Sequence, residues 1–363
     1  MPGETTFSEF IIGEQRRSPH ATGGFTALVS DIRLACKRIA YLVGKGALAH
    51  APQSEEGGAN RVGEDGAGAG RKRLHVQANE IFLAINERGG HVAGMVSEEL
   101  ELPYRVEAPH QRGPYLLLFD PLDGSTNIDV NVSVGSIFSV LRCPRGVENP
   151  AERDFLQPGG EQVCAGYAIY GPTTMLVLTL GRGVHGFTLD REIGEFILTH
   201  PDMRVPEEAS EFAINTSNER FWEPPVKRYI SECLAGRNGP RGKDFNMRWV
   251  ASLVAEVHRI LVRGGLFMVP HDTRDPAKPG RLRLLYEANP VAMLIEQAGG
   301  AASTGQGPVL EVRAGSVHQR VPVILGSRAE VERIEQYHRE HDQGLDQPYT
   351  SPLFNTRSLF SRG

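Results

Sequence analysis

The sequence predicts an α/β protein with mixed sheets and two subdomains. Three observations carry this reading. The 363 residues suit two domains or one large α/β unit. Four β-like runs, 163–170, 174–180, 184–189 and 195–199, are joined by turns at Gly171-Pro172, Gly181 and Asp190, the pattern of a meander and so of a sheet that is not purely parallel. From about Pro206 helices and strands alternate instead. That change sets a boundary near 200–206, with an N-terminal unit over 1–205 and a C-terminal, substrate-binding unit over 206–340.

The elements follow in order. Leu28, Ile32, Ala35, Ile39 and Val43 fall at helical spacing over 25–43, with Thr22 or Thr26 as the cap. Residues 51–70 are rich in Gly, Ala and acids and predict a mobile loop. A helix follows over about 74–88, then strands at 91–96, 115–119 and 134–141 before the meander. Beyond the boundary, helices over 222–235, 245–262 and 289–299 alternate with strands near 212–214, 266–269 and 321–326, and Asn289-Pro290 reads as an N-cap with its first-turn proline. Residues 341–363 mix Gly, Pro, Ser and Arg and predict a flexible tail.

Composition narrows the function. The chain is 40% hydrophobic and 23% charged, enough apolar material for a sizeable core. A net charge of −5 with no long basic run argues against nucleic acid as a partner. The four cysteines are widely spaced and form no CxxC pair, which suits free thiols in a reducing compartment. No apolar run is long enough to span a bilayer, and the polar N-terminus lacks a signal-peptide core, so the expectation is a cytoplasmic protein with no membrane partner.

The most informative stretch is Phe119-Asp120-Pro121-Leu122-Asp123-Gly124-Ser125-Thr126-Asn127, directly after the apolar run Tyr115–Leu118. A strand thus delivers two carboxylates, three residues apart, into a turn of small hydrogen-bonding residues. Pro121 removes one backbone donor and Gly124 allows close approach of a ligand. Ser125, Thr126 and nearby N–H groups can donate to an anion. A second acidic pair, Glu98-Glu99, also ends an apolar strand. If the two strands are neighbours, the pairs meet at one sheet end, where open α/β folds place ligands. Crowded carboxylates need compensating cations, and all-oxygen ligation points to magnesium or manganese rather than zinc. Alternating Arg and Leu in Arg281–Leu284, before Glu287, reads as a strand with one basic face. Either it is a solvated edge, or Arg281 and Arg283 meet phosphates while Glu287 reaches a metal.

In sum these residues resemble the class 1 fructose-1,6-bisphosphatases, within the lithium-sensitive, metal-dependent phosphatases. The likeness runs from about 20 to 340 and rests on residues 22–26, 96–99, 119–138, 165–171, 194–198, 252–259, 281–290 and 318–320, in that order. It implies a layered α-β-α-β-α sugar-phosphatase fold that releases the 1-phosphate of fructose 1,6-bisphosphate. Glu98, Asp120, Asp123, Glu287 and the carbonyl of Leu122 would hold magnesium, or manganese. Asp123, Gly124, Ser125 and Thr126 would bind the departing phosphate, with Arg283 beside it. Glu99, paired with Glu80, would take the proton from attacking water. Asn215 would bind the second phosphate, Arg281 would contact the sugar, and Arg248 would reach the adjacent subunit's site in a homotetramer.

The chain departs from that pattern at several positions. His75 stands where the family usually has Asp, Glu80 where its animal members have Asp and its bacterial members often Glu, and Thr216-Ser217 replaces Glu-Gly. Trp249 and Val269 replace tyrosines, and the second change loses a hydroxyl at the second phosphate. Arg281 replaces Lys. These changes keep open a sedoheptulose-1,7-bisphosphatase or dual-specificity enzyme and, more remotely, a catalytically silent sugar-phosphate sensor. The family's AMP site is matched at Thr22, Thr26 and Tyr115, whereas Gly24 and Pro114 replace its Glu and Lys.

Overall fold

The structure is a computed structural model describing residues 4–17, 23–46, 66–107, 109–274 and 280–345, with the backbone alone for 66–72. Its larger sheet has eight strands in the order β2-β1-β3-β4-β5-β6-β7-β8. These are β1 (Val92–Ser97), β2 (Tyr104–Arg105), β3 (Tyr115–Asp123), β4 (Val134–Arg142), β5 (Cys164–Tyr170), β6 (Thr174–Thr179), β7 (Val184–Asp190) and β8 (Glu195–His200). β1 and β3 are parallel and every other pairing is antiparallel, so the meander and the mixed sheet are both present. The second sheet runs β10-β9-β11-β15-β13, from β9 (Glu211–Ile214), β10 (Asn246–Met247), β11 (Leu266–Val269), β13 (Ala301–Ser303) and β15 (Val323–Gly326). A short ribbon pairs β12 (Leu282–Arg283) with β14 (Arg320–Val321).

Period-two alternation splits each sheet between two cores. On β3, Tyr115, Leu117 and Phe119 face the helices α1 (Phe7–Arg17), α2 (Gly23–Lys45) and α3 (Gly66–Gly89). Leu116 and Leu118 face the opposite way, toward α6 (Leu253–Arg263) and α7 (Asn289–Gln297). The far side of α6 and α7 meets Ala213, Phe267, Val323 and Leu325 of the second sheet. The alternate residues Phe212, Ile214, Met268 and Ile324 pack on α5 (Pro224–Ala235) and α8 (Arg328–Asp342). The layers are therefore α-β-α-β-α, with a one-turn helix α4 (Glu152–Phe155) in the link between β4 and β5.

Several elements differ from expectation. α3 begins at Gly66, so the last residues of the expected 51–70 loop are helical, while 51–65 lie outside the described residues. Extending an established helix backward needs no new nucleus, which lets even a Gly-Ala run join it. α6 starts at Leu253 and not near 245, because Ser252 caps it by accepting the Ala255 N–H (3.3 Å) and residues 246–247 pair with β9. Thr26 is no cap: its hydroxyl donates to Gln15 of α1 (2.7 Å), and Thr22 lies outside the described residues. Asn289 does not cap α7, because a π turn over Leu284–Ala288 already leads into it; the basic-faced strand shrinks accordingly to Leu282–Arg283. The tail 346–363 lies outside the described residues, and Asp342 closes α8.

Phe82 of α3 stacks on Phe119 of β3 with ring centroids 4.7 Å apart, and both are fully buried. Replacing Phe82 with Ala is expected to cost about 3–5 kcal/mol, read as a lower midpoint in urea unfolding.

Candidate active site

The site begins with a parity problem on β3. Residues three apart on a regular strand face opposite sides, yet Asp120 and Asp123 must face one side to cooperate. One inserted residue solves it. Asp120 pairs with Ile137 but Asp123 pairs with Gly135, so β3 bulges by one residue at Pro121-Leu122. Proline is tolerated there because the bulge needs no donor from it. The Pro121 carbonyl accepts the Ser136 hydroxyl (2.7 Å), and Asp120 Oδ1 accepts the Leu122 N–H (2.9 Å). The strand thus continues through both aspartates, where a turn was expected.

Glu287 arrives by a similar irregularity. The π turn holds one more residue per turn than an α-helix. Its side chain folds back so that Glu287 Oε2 accepts the Arg283 N–H. Asp120, Asp123 and Glu287 are all buried, and one carboxylate oxygen from each lies within 4.8 Å of the others. Asp123 is fixed from the middle layer, its Oδ2 accepting the Val254 N–H (3.0 Å) and the Ser252 hydroxyl (3.3 Å) at the start of α6. Sequence reading missed these two anchors; a serine directly before the apolar run 253–257 was the available signal.

Glu98 follows β1 and donates its N–H to the Phe119 carbonyl (3.1 Å), so the two acidic strand ends are neighbours at one sheet end as expected. It stands outside the trio, but its charge acts on all three members. Glu99 Oε1 lies in hydrogen-bond contact with His75 Nδ1 at 2.6 Å. Glu80 is exposed on α3, and the side chain that bonds Glu99 is that of His75. His75 sits one and a half turns earlier than Glu80 on α3.

Charge explains what such a site needs. Burial, then Glu98, Asp123 and Glu287, raises Asp120 well above the carboxylate range. Burial pushes Asp123 to about 6, against the pull of Val254 and Ser252. Burial pushes Glu287 to about 8, against the Arg283 N–H. Glu98 is raised by burial and by Glu99, with His75, Arg283 and Arg320 opposing. A buried, all-oxygen, mutually repelling donor set fits a hard divalent cation.

Beside the trio, Gly124 adopts φ 74° and opens a 3₁₀ helix over Ser125–Val130; a Cβ there would stand 3.0 Å from Ser252. Ser125 and Thr126 are its first residues, whose N–H groups have no acceptor within the helix. Arg283 reaches the His318 carbonyl (2.9 Å), and His318 bonds Tyr286 (2.8 Å). Asn215, Trp249, Val269 and Arg281 meet around a separate cavity of about 70 Å³. Arg248 is half exposed and pairs with Glu211 at 3.4 Å. A further cavity of about 240 Å³ between α1, α2 and the sheet is lined by Thr26, Tyr115 and Arg142.

Fold and carboxylate cluster together define an α/β phosphatase site, and comparison with known proteins agrees. The model of the fructose-1-6-bisphosphatase N-terminal domain matches residues 5–201, and that of the C-terminal domain matches 205–339. The chain belongs to the class 1 fructose-1,6-bisphosphatase family. It is 61% identical to a class 1 fructose-1,6-bisphosphatase of Hydrogenophilus thermoluteolus, covering 98% of this chain and 97% of the relative. It is 58% identical to one from Methylibium petroleiphilum, covering 99% and 98%. The crystal structure of Leishmania major fructose-1,6-bisphosphatase in holo form superposes with a TM-score of 0.81 at 39% identity, covering 92% of this chain and 99% of that one.

The raised carboxylates set a pH dependence. Between the unfolded values near ~4 and folded values of about 6 for Asp123 and about 8 for Glu287, the folded metal-free protein binds more protons than the unfolded chain. Its stability therefore falls as pH rises from ~4 through ~8. Adding magnesium is expected to raise Tm more at pH 8 than at pH 5, as read by thermal unfolding.

Proposed function

We propose that the protein is a fructose-1,6-bisphosphatase that releases the 1-phosphate to give fructose 6-phosphate and phosphate, using magnesium, with manganese as an alternative. The observation that carries this is the buried trio Asp120, Asp123 and Glu287 in a chain 61% identical to a class 1 relative. Glu98, Asp120, Asp123, Glu287 and the Leu122 carbonyl are the residues that would hold the cations. Divalent cations bound there supply a more acidic attacking water and neutralise charge on the phosphoryl oxygens.

The chain's own residues do the rest. Gly124, Ser125 and Thr126 orient the 1-phosphate through backbone N–H and hydroxyl donors, and Arg283 adds charge. Glu99 takes the proton from water, with His75 as the hydrogen-bonded neighbour that holds it. Glu80 lies further along the same helix and acts at longer range. Asn215 and Arg281 hold the far end of the sugar phosphate, so that its binding orients the reacting end. The half-exposed Arg248 fits a role across a subunit boundary, in a homotetramer.

Free cysteines, all four unpaired, suit a cytoplasmic enzyme of gluconeogenesis or carbon fixation. No helix among the described residues is long and apolar enough to cross a membrane. A second reading, sedoheptulose 1,7-bisphosphate as substrate or co-substrate, draws on Trp249 and Val269, which line the distal cavity in place of two phenols.

Phosphate release from fructose 1,6-bisphosphate is expected with magnesium and not in chelator; full activity in chelator would overturn the mechanism. Asp120→Asn is expected to lower kcat at least about a hundredfold. His75→Ala is expected to lower kcat about tenfold at unchanged KM, more than Glu80→Ala does. Comparing kcat/KM for the six- and seven-carbon bisphosphates decides between the two substrates.

A further inference from the structure

The distal cavity holds a residue that no motif brought to notice. His271 lies two positions beyond Val269, just past the end of β11, and lines the same cavity as Asn215, Trp249 and Arg281. Its Nδ1 is buried and makes no hydrogen bond, yet stands 3.5 Å from Glu223 Oε1. The side chain is 28% exposed, so its accessible edge is the part of the ring away from Nδ1.

Glu223 is fixed at the start of α5, where it precedes Pro224. Its other oxygen lies 3.5 Å from His338 Nε2 of α8, and His338 Nδ1 is anchored on the Ile334 carbonyl (2.9 Å). The His338 contact, followed by the charges of His271, His338 and His341, holds the Glu223 carboxylate below its usual range, although burial opposes them. Glu223 is thus a fixed anion behind the His271 ring. A ring that carries a proton on both nitrogens can direct Nδ1–H toward that carboxylate and offer Nε2–H to a ligand.

The remaining polar groups of the cavity agree with an anionic ligand. Asp272 is engaged by Arg274 (2.9 Å) and Arg281 (3.4 Å), and the two arginines offset its charge. Asn215 uses Oδ1 to accept twice from Ser217, at 3.1 and 2.6 Å, which leaves its amide nitrogen as the donor side. Val269, in the strand itself, offers no polar group.

We propose that His271, oriented by Glu223, binds the phosphate remote from the reacting one and supplies the donor that Val269 lacks. This rests on the reading that the cavity takes that phosphate. His271 touches the ligand, and Glu223 is a positioning residue that acts through it.

The test uses full-length protein and the product fructose 6-phosphate, which binds without chemistry. Calorimetry is expected to show affinity for it falling on the order of tenfold or more in His271→Ala. KM for the bisphosphate should rise with kcat held within about twofold, because the reacting end is untouched. His271→Gln, which keeps a neutral donor, should fall between the two and serves if the alanine variant does not fold. Glu223→Gln should weaken fructose 6-phosphate binding in the parent protein but add little in His271→Ala, since the pair acts as a unit. Unchanged binding in His271→Ala, with Asn215→Ala still weakened, would overturn the proposal and leave the cavity reading intact. Unchanged binding in both would remove the cavity reading as well. Equal Glu223→Gln losses with and without His271 would overturn the positioning role.

Discussion

Mutual repulsion among buried carboxylates is the constraint around which this molecule is arranged. Two like charges about 4 Å apart oppose each other by ~4 kcal/mol at an effective dielectric near ~20. Asp120, Asp123 and Glu287 meet within such distances and are all buried, with Glu98 close by. Bringing them together demands irregular backbone. The β3 bulge and the π turn each insert one residue, and each insertion turns a carboxylate toward the same point. The N-terminus of α6 then holds Asp123 with two donors. The site is therefore sustained by regular elements interrupted at chosen places, and the bulge accommodates Pro121 because it needs no donor there.

Layering gives these interruptions something rigid to stand on. The eight-stranded sheet is covered on one face by α1–α3 and on the other by α6 and α7. The middle helices bury their other faces against the second sheet, so one core runs from the carboxylates to the wall of the distal cavity. A small displacement at one end cannot be absorbed by soft packing, because interiors are close-packed and have few voids.

Much of this was legible in the sequence, and the failures have physical causes. The meander strands were readable because continuous apolar runs between Gly, Pro and Asp turns leave few other choices. The meeting of Glu98 with Asp120 followed from two apolar strands ending in acids. α8 was not legible: only Glu330, Val331, Ile334, Tyr337 and His338 are buried in an otherwise charged helix, too thin a stripe to stand out. α1 was passed over for the same reason, with Phe7 and Ile11 alone buried. The start of α6 was misplaced because Trp249 and Val250 extend its apolar pattern backward. Asn289 looked like a cap because a π turn has no simple sequence signature. The contact of His75 with Glu99 spans 24 residues, and no local pattern encodes it.

α6 also ties the two sheets together. Its first turn grips Asp123 through Val254, and just past its midpoint Arg259 grips Glu211 (3.2 Å) and the Leu266 carbonyl (3.4 Å) of the second sheet. The two grips are five residues apart on this 11-residue helix, a stiff spacer of roughly 8 Å between them. It works as a gauge block between the carboxylate trio and the second sheet, whose strands border the cavity around Asn215. On the function proposed above, tolerance for longer or shorter sugars is governed as much by this buried strut as by the side chains that line either pocket.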